Sequence, residues 1–144
     1  LVVHLRLGDV LDWPLYAKNY GCATKGCRWV VPLTQYLKHL ERLCVPKPIR
    51  TVYIVSNPNY RAVNKTGNTS RSYLSSVVEF FRERKYTTLT RSNSSADDDL
   101  RFMRNAHYFL PGRGRFAEIL SRMNENTTLR NYSCVRQVGN TTNA

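Results

Sequence analysis

Residues 32–56, PLTQYLKHLERLCVPKPIRTVYIVS, contain a helix pattern followed by a strand pattern. Pro32 suits the start of a helix, and apolar residues recur at helical spacing from there to position 44. Residues 51–56 are rich in β-branched and aromatic side chains, as is typical of a buried strand. A strand-like run at residues 1–7 precedes them, so this region predicts a strand–helix–strand crossover unit. The helical apolar positions are Leu33, Tyr36, Leu37, Leu40 and Leu43.

The same alternation continues toward the carboxyl end, after a loop expected at residues 57–71. Strands separated by helices of this length predict an α/β fold with a doubly wound parallel sheet and right-handed crossovers. Residues 1–123 are expected to form one domain, and residues 124–144 an irregular, glycosylated tail. The further elements are helices at 72–84, 96–105 and 115–123 and strands at 86–90 and 107–110, with Tyr73, Val77, Phe80 and Phe81 facing inward.

The charge of the chain points to an anionic partner. Its 144 residues include 22 Lys and Arg against 10 Asp and Glu, a net charge of +12. Phosphate, a nucleotide, nucleic acid or a sulfated glycan would each fit, and a generally basic surface is the alternative. No run of four Lys or Arg occurs, so the excess charge is not patterned as a nucleic-acid-binding arm.

The Asn residues indicate the compartment. Six of them begin Asn-x-Ser/Thr sequons, where about two would be expected by chance. This excess favours the lumen of the secretory pathway, in the endoplasmic reticulum or Golgi, and argues against a nucleic-acid partner. The sequon residues are Asn64, Asn68, Asn93, Asn126, Asn131 and Asn140.

The chain has no initiator Met, no signal peptide and no run of 18 apolar residues. Because residue 1 already lies in a strand-like run, we expect a fragment of a longer protein. Any membrane attachment would come from a segment absent from this chain.

Four cysteines agree with a luminal setting. Cys22 and Cys27 flank a short polar loop that a disulfide could close, which would leave Cys44 and Cys134 as a long-range pair. Three pairings are compatible with four cysteines, and the sequence does not choose among them. A zinc site is a poor alternative, because this spacing lacks a nearby His.

Two segments are expected to meet at the carboxyl edge of the sheet. Arg6, Gly8 and Asp9 follow the first strand, and PGRGR at 111–115 lies between a strand and a helix. Ligands bind at this edge in doubly wound sheets, and glycines followed by a helix N-terminus can hold a phosphate. Arg113 and Arg115 add positive charge that could contact phosphate oxygens. An ordinary structural turn is the alternative. The loop matches neither the P-loop nor the dinucleotide-binding fingerprint, so those two classes are disfavoured.

These segments resemble two signatures of the fucosyltransferases that use GDP-fucose. HLRLGDVLDW, from His4, resembles their H-x-R motif, especially in the protein O-fucosyltransferase branch. DDLRFMRNAHYFLPGRGRFAEIL at 98–120 is similar to the second signature, in which an Asp-Leu pair is followed by a helix, a short strand, a turn and a helix that opens with Phe. The resemblance implies a Rossmann-like domain, the donor-binding half of a two-domain GT-B glycosyltransferase. The half expected to bind the acceptor is missing.

The resemblance also implies roles for individual residues. Arg6 matches the Arg that binds the GDP pyrophosphate and stabilises it as the leaving group, and His4 lines the same pocket. Asp99, or Asp98 in a shifted register, matches the acid on the guanine or ribose side. Phe116 matches an aromatic residue beside the nucleotide. Helix capping for the acid and a core position for Phe116 are the alternatives. The expected substrate-binding residues are His4, Arg6, Gly8, Asp9, Asp98, Asp99, Gly114, Arg115 and Phe116, with Arg6 catalytic.

One departure from the family pattern affects the phosphate site. Gly114 and Arg115 stand where the family has a Ser-rich turn. Backbone N–H groups and a guanidinium would therefore replace hydroxyl contacts to phosphate. Asp9 has two open roles, as a base or as a residue that orients Arg6.

The activity that the resemblance implies is inverting transfer of fucose from GDP-fucose to a hydroxyl of a protein or glycan. It needs no obligatory metal and no cofactor beyond the donor, because Arg6 supplies the positive charge. The triplet at residues 97–99 fits a helix start better than a metal site. Two alternatives remain: a catalytically inactive luminal binding module, with weak or absent GDP binding, and a basic polyanion-binding domain, with steeply salt-dependent affinity.

Overall fold

The computed structural model describes residues 1–7, 11, 30–41, 48–57 and 68–124. Strands and helices alternate along this part of the chain. The strands are β1 (Val2–Leu5), β2 (Thr51–Ser56), β3 (Thr87–Arg91) and β4 (Phe109–Leu110), and the helices are α1 (Leu33–Glu41), α2 (Asn68–Glu83), α3 (Ala96–Arg104) and α4 (Arg115–Met123).

These strands form one parallel sheet in the order β3-β2-β1-β4. Val2 of β1 lies opposite Tyr53 of β2 on one side and Phe109 of β4 on the other. The chain therefore runs outward from β1 to β3 and then returns to place β4 on the far side of β1. This order confirms the expected parallel α/β fold, which is Rossmann-like.

One face of the sheet is covered by α1 and α2. Val3 and Leu5 of β1 and Ile54 of β2 point to this face and share a core with Tyr36 of α1 and Phe81 of α2. All five side chains are buried. The apolar helical positions predicted from the sequence therefore supply this core, because helices of this kind gain stability by burying one face.

The opposite face is covered by α3 and α4. Val2 and Val55 share a second core with Met103 of α3 and Leu120 of α4. Because side chains alternate along a strand, residues 4 and 6 follow Val2 onto this second face. The polar side chains at the end of β1 therefore point toward α3 and α4 rather than toward α1 and α2.

Most predicted elements are confirmed, and some of their ends differ. The structure has β2 and α4 at the predicted residues, and α1 begins one residue after Pro32. The first strand ends at Leu5 and the last covers only Phe109–Leu110, because strand pairing with β1 involves just these residues of β4. The predicted extension of α1 through residues 42–44 lies outside the described residues.

The loop predicted at 57–71 is wrong at its carboxyl end, because α2 begins at Asn68. Ser70 is fully buried within the first turn of this helix. Ser, Thr and Asn favour turns and helix caps in an isolated chain, so a run of these residues predicts a loop. Packing of the turn against the core outweighs that local preference.

Several sequence predictions concern residues outside the described ones. All four cysteines, the proposed disulfide and zinc alternatives, and residues 125–144 of the expected tail are among them. Within the described residues, no helix has the length and apolar character needed to cross a membrane.

Candidate functional site

A cavity of about 550 Å³ opens at the carboxyl ends of β1 and β2. It lies on the sheet face that carries α3 and α4, and residues at or just before the start of each helix contribute to its wall. Its floor includes Val55, Met103 and Phe116, which also belong to or pack against the second core. The polar residues of its wall are His4, Arg6, Ser56, Asn57, Ser94, Asp99 and Arg113.

Topology explains why a cavity forms here. The connections from β1 and from β4 leave the sheet in different directions, since α1 covers one face and α4 the other. Neighbouring strands whose connections diverge leave a crevice outside their carboxyl ends, and ligands bind there in doubly wound sheets. The volume is within the range of small-molecule sites.

The loop between β4 and α4 packs directly against the end of β1. A Cβ on Gly112 would lie 2.6 Å from the carbonyl oxygen of His4 and 3.0 Å from its Nδ1. A Cβ on Gly114 would lie 2.7 Å from Nη1 of Arg6. The space that these glycines leave open is therefore filled by His4 and Arg6, so the loop positions the two side chains that the H-x-R resemblance singles out.

His4 is held as a neutral ring. Its ring packs edge-to-face on Phe116, with 5.5 Å between the centroids. Its Nδ1 is shielded from solvent and has no hydrogen-bond partner. Burial, and secondarily the positive charge of Arg6, lower the pKa of His4 to about 4. The imidazole is consequently uncharged at neutral pH, and the positive charge at the end of β1 belongs to Arg6.

One end of the cavity is cationic. Arg6 and Arg113 both line it, and Nη2 of Arg113 donates to Oε1 of Gln35 at 3.3 Å. The Nε of Arg113 is buried and has no hydrogen-bond partner among the described residues. Gly114 is the N-cap of α4, with φ 97°, and no side chain from the described part of the chain caps this helix start. Two guanidinium groups beside an uncapped helix N-terminus form an arrangement that suits an anion such as phosphate.

The two arginines of the loop have different positions. Arg113 lines the cavity, whereas Arg115, the first residue of α4, is exposed and is not part of the cavity wall. The sequence predicts phosphate contacts for both arginines, and the expected substrate-binding set includes Arg115. The structure brings Arg113, not Arg115, to the cationic end beside Arg6.

The other end of the cavity carries a carboxylate. Asp99, in the first turn of α3, lines the wall and its side chain is 14% exposed. Its Oδ1 accepts a hydrogen bond from Nε of Arg91 at 2.8 Å. Asp98 is instead exposed; its Oδ2 accepts from Oγ of Ser95, the N-cap of α3, and its backbone N–H donates to that hydroxyl. The structure thus separates the two candidate acids: Asp99 lines the cavity, and Asp98 belongs to the helix cap.

Sequence reasoning missed the contribution of β2. Ser56, the last residue of this strand, is 4% exposed, and its buried hydroxyl has no hydrogen-bond partner within the described ranges. Asn57 follows it in the wall. The sequence contained a signal for these two residues, because a Ser-Asn pair stands at the end of a buried strand. It therefore lies at the same edge of the sheet as Arg6.

Tyrosines lie behind the end of β1, on the opposite face of the sheet. Tyr36 is fully buried, and burial together with the nearby Tyr73 raises its pKa well above the ordinary value. The hydroxyl of Tyr73 donates to the carbonyl oxygen of Val31, and burial raises the pKa of Tyr73 to about 12. Both phenols are therefore protonated at neutral pH, and they add no negative charge near Arg6 and Arg113.

Some predicted site residues are not described. Gly8 and Asp9 lie outside the described residues, as do the sequon residues Asn64, Asn126, Asn131 and Asn140. Asn68 is the first residue of α2, and Asn93 is exposed between β3 and α3 with φ 67°. Across the described part of the chain, no group of three or more His, Cys, Asp or Glu side chains could hold a metal ion.

Comparison with protein-family models, with curated proteins and with solved structures gives no match to this chain. A function for this chain is therefore inferred from the cavity, its charges and the two motif-level resemblances.

Proposed function

We propose that this domain binds GDP-fucose and is the donor-binding half of a two-domain GT-B glycosyltransferase of the secretory-pathway lumen. The reaction is inverting transfer of fucose to a hydroxyl of a protein or glycan acceptor. The observation that carries the proposal is the position of Arg6, which lies at the end of β1 against Gly114, the uncapped N-terminus of α4. This is the arginine of the H-x-R motif.

The charges of the cavity support a ligand with two different ends. Arg6, Arg113 and the first turn of α4 favour a diphosphate, and Asp99 favours a group that donates hydrogen bonds. A nucleoside diphosphate combines an anionic end with a base and ribose that donate hydrogen bonds. The cavity is large enough for much of such a molecule.

Arg6 also has a role in the chemical step of this proposal. When the bond between fucose and the β-phosphate breaks, negative charge accumulates on the leaving phosphate oxygen. A guanidinium already fixed beside that oxygen stabilises the charge without reorganising, and the stabilisation is greatest in the transition state. His4 is neutral at working pH, so it contributes packing and a hydrogen-bonding nitrogen rather than charge.

The test is calorimetric titration of GDP and, separately, ATP into the full chain and its variants at moderate salt. Arg6→Ala should weaken GDP binding at least about tenfold, because a charge-assisted bidentate contact is lost. Arg115→Ala is the matched control: it removes an exposed arginine from the same loop and should leave GDP affinity within about twofold.

The outcomes separate the three classes of function. Selective GDP binding that depends on Arg6 supports the donor site, and fucose transfer by the protein that contains both halves then establishes the enzyme. Selective binding without transfer indicates an inactive binding module. Equal, steeply salt-dependent binding of GDP, ATP and heparin that is indifferent to Arg6 would indicate a polyanion-binding domain and overturn the proposal.

A further inference from the structure

Arg91 lies behind the carboxylate end of the cavity. It is the last residue of β3 and lies opposite Val55 of β2, whose side chain forms part of the cavity floor. Its Nε donates to Oδ1 of Asp99 at 2.8 Å, and its guanidinium carbon lies 5.0 Å from the ring centroid of Phe102. Phe102 packs edge-to-face on Tyr53 of β2. The guanidinium is therefore held by an ion pair on one side and an aromatic cluster on the other.

A neighbouring Asp–Arg ion pair is much more exposed to solvent. Asp98 and Arg101 also form an ion pair, at 3.8 Å, but their side chains are 56% and 77% exposed. Exposed ion pairs of this kind add little to the free energy of unfolding and hold neither side chain in one position. The side chains of Asp99 and Arg91 are 14% and 33% exposed and make a direct hydrogen bond. Two adjacent aspartates on one helix thus differ in whether an arginine fixes the carboxylate.

We infer that Arg91 is a positioning residue that gives the cavity its selectivity for the base of the nucleotide, an inference that rests on the proposed function. Arg91 donates to one oxygen of Asp99 and fixes the side chain in the wall. The second oxygen, Oδ2, has no partner among the described residues, and Oδ1 keeps a second acceptor site, so both oxygens are left to accept hydrogen bonds from the ligand.

An ionised carboxylate only accepts hydrogen bonds, so it distinguishes ligands by the N–H and O–H groups that they present. Guanine presents two adjacent N–H donors on its Watson–Crick edge, whereas adenine presents one beside an acceptor nitrogen. A carboxylate in a fixed orientation therefore favours guanine, and a carboxylate free to rotate discriminates less. The diphosphate is bound at the opposite end of the cavity and does not depend on Arg91.

The test is titration of GDP, ADP and inorganic pyrophosphate into the full chain and three variants. Arg91→Met removes the hydrogen bond but keeps much of the aliphatic packing, and Arg91→Lys keeps the charge without the planar fork. Arg101→Met is the matched control, since it removes the arginine that pairs with Asp98. Pyrophosphate reports the cationic end alone and therefore also shows that a variant has folded.

Arg91→Met should weaken GDP binding about tenfold, leave pyrophosphate affinity within about twofold and reduce the preference for GDP over ADP. The GDP affinity of Arg91→Lys should lie between those of Arg91→Met and the wild type. Arg101→Met should bind GDP, ADP and pyrophosphate like the wild type. If Arg91→Met does not fold, the ratio of GDP to pyrophosphate affinity in Arg91→Lys decides the question.

Two results would overturn the inference while leaving the proposed function intact. One is a ratio of GDP to pyrophosphate affinity that stays at the wild-type value in both Arg91 variants. The other is a fall of this ratio in Arg101→Met as large as the fall in Arg91→Met. A wild-type chain that does not bind GDP would overturn the proposed function, and the inference with it.

Discussion

Gly114 and Arg6 fit together so closely that a methyl group on the glycine would lie 2.7 Å from Nη1 of the arginine. The two residues come from the start of α4 and the end of β1, which are distant in sequence and meet only in the folded sheet. Gly112 has the same relationship to the backbone of His4, at 2.6 Å. The glycines of the loop are therefore required by the protein's own arginine and histidine, and in the proposed function the diphosphate binds to the surface that this contact creates.

Gly114→Ala should weaken anion binding more than it destabilises the fold. The new Cβ meets the end of a flexible side chain, so the guanidinium of Arg6 moves away from the start of α4. The backbone at φ 97° adds strain, with a cost of about 1–2 kcal/mol in the free energy of unfolding. Titration with pyrophosphate should show a loss of affinity comparable to that of Arg6→Ala, measured alongside thermal unfolding.

Gly112→Ala should destabilise the fold more than it weakens anion binding. Its Cβ would meet the carbonyl oxygen of His4, which is backbone in the central strand and cannot rotate away. We expect the free energy of unfolding to fall by roughly 1–3 kcal/mol, as for overpacking in a core. If both glycine variants unfold at the wild-type temperature and bind pyrophosphate normally, the contact between the loop and β1 is not the feature that positions Arg6.

The buried His4 should make the fold sensitive to acid. Its pKa is about 4 in the folded protein and about 6.5 in an unfolded chain. Between these values the unfolded state binds more protons, so stability is complete above pH 6.5 and is lost as the pH falls toward 4. The two values imply a contribution of roughly 3 kcal/mol, measurable as the pH dependence of the free energy of unfolding in urea.

His4→Gln should flatten that pH dependence, because glutamine does not titrate. His107 is exposed, so His107→Gln is the matched control and should retain the wild-type slope. Equal slopes in the wild type and His4→Gln would show that groups other than His4 account for the acid sensitivity.

The fold could be predicted from the sequence because local patterns and tertiary packing agree over most of the chain. Residues 51–56 are mostly β-branched or aromatic, and they form β2 at those bounds. The acids at residues 97–99 predicted the start of α3, and in the structure Ser95 caps this helix. The prediction failed at Asn68, where a turn-like run of polar residues is helical because Ser70 packs inward. That burial depends on contacts that a local pattern does not contain.

The site was only partly predictable for a similar reason. Arg6 could be found because it ends a strand, and strand ends share one edge of the sheet. The choice between Asp98 and Asp99 depended on Arg91, which comes from another element. The choice between Arg113 and Arg115 depended on the positive φ of Gly114, which separates a residue of the cavity wall from an exposed one.

Asn93 should carry an N-linked glycan when the chain is made in a secretory host. The residue is exposed in the turn between β3 and α3 and has φ 67°, a conformation that Asn tolerates well. A glycan there extends into solvent without displacing a core element. Mass spectrometry of glycopeptides should find Asn93 occupied, and Asn93→Gln should lose one glycan in mass. An unmodified Asn93 in secreted protein would contradict both this prediction and the luminal interpretation of its sequon.

Ser56→Ala should separate ligand binding from folding. The hydroxyl of Ser56 is buried without a hydrogen-bond partner, so its removal relieves a desolvation cost. The free energy of unfolding should be unchanged or rise by up to about 1 kcal/mol. Since Ser56 lines the cavity, a bound nucleotide can supply the missing partner, and GDP affinity should fall about tenfold.

Thr88→Val provides the matched control for that variant. Thr88 is also a buried strand residue, but its hydroxyl donates to the carbonyl oxygen of Tyr86 at 3.2 Å. Removing a satisfied hydroxyl should lower the free energy of unfolding by about 1 kcal/mol and leave GDP affinity unchanged, because Thr88 is not part of the cavity wall. A Ser56→Ala variant that loses stability like Thr88→Val would show that its hydroxyl is satisfied within the fold, and the cavity would then lack this contact to the ligand.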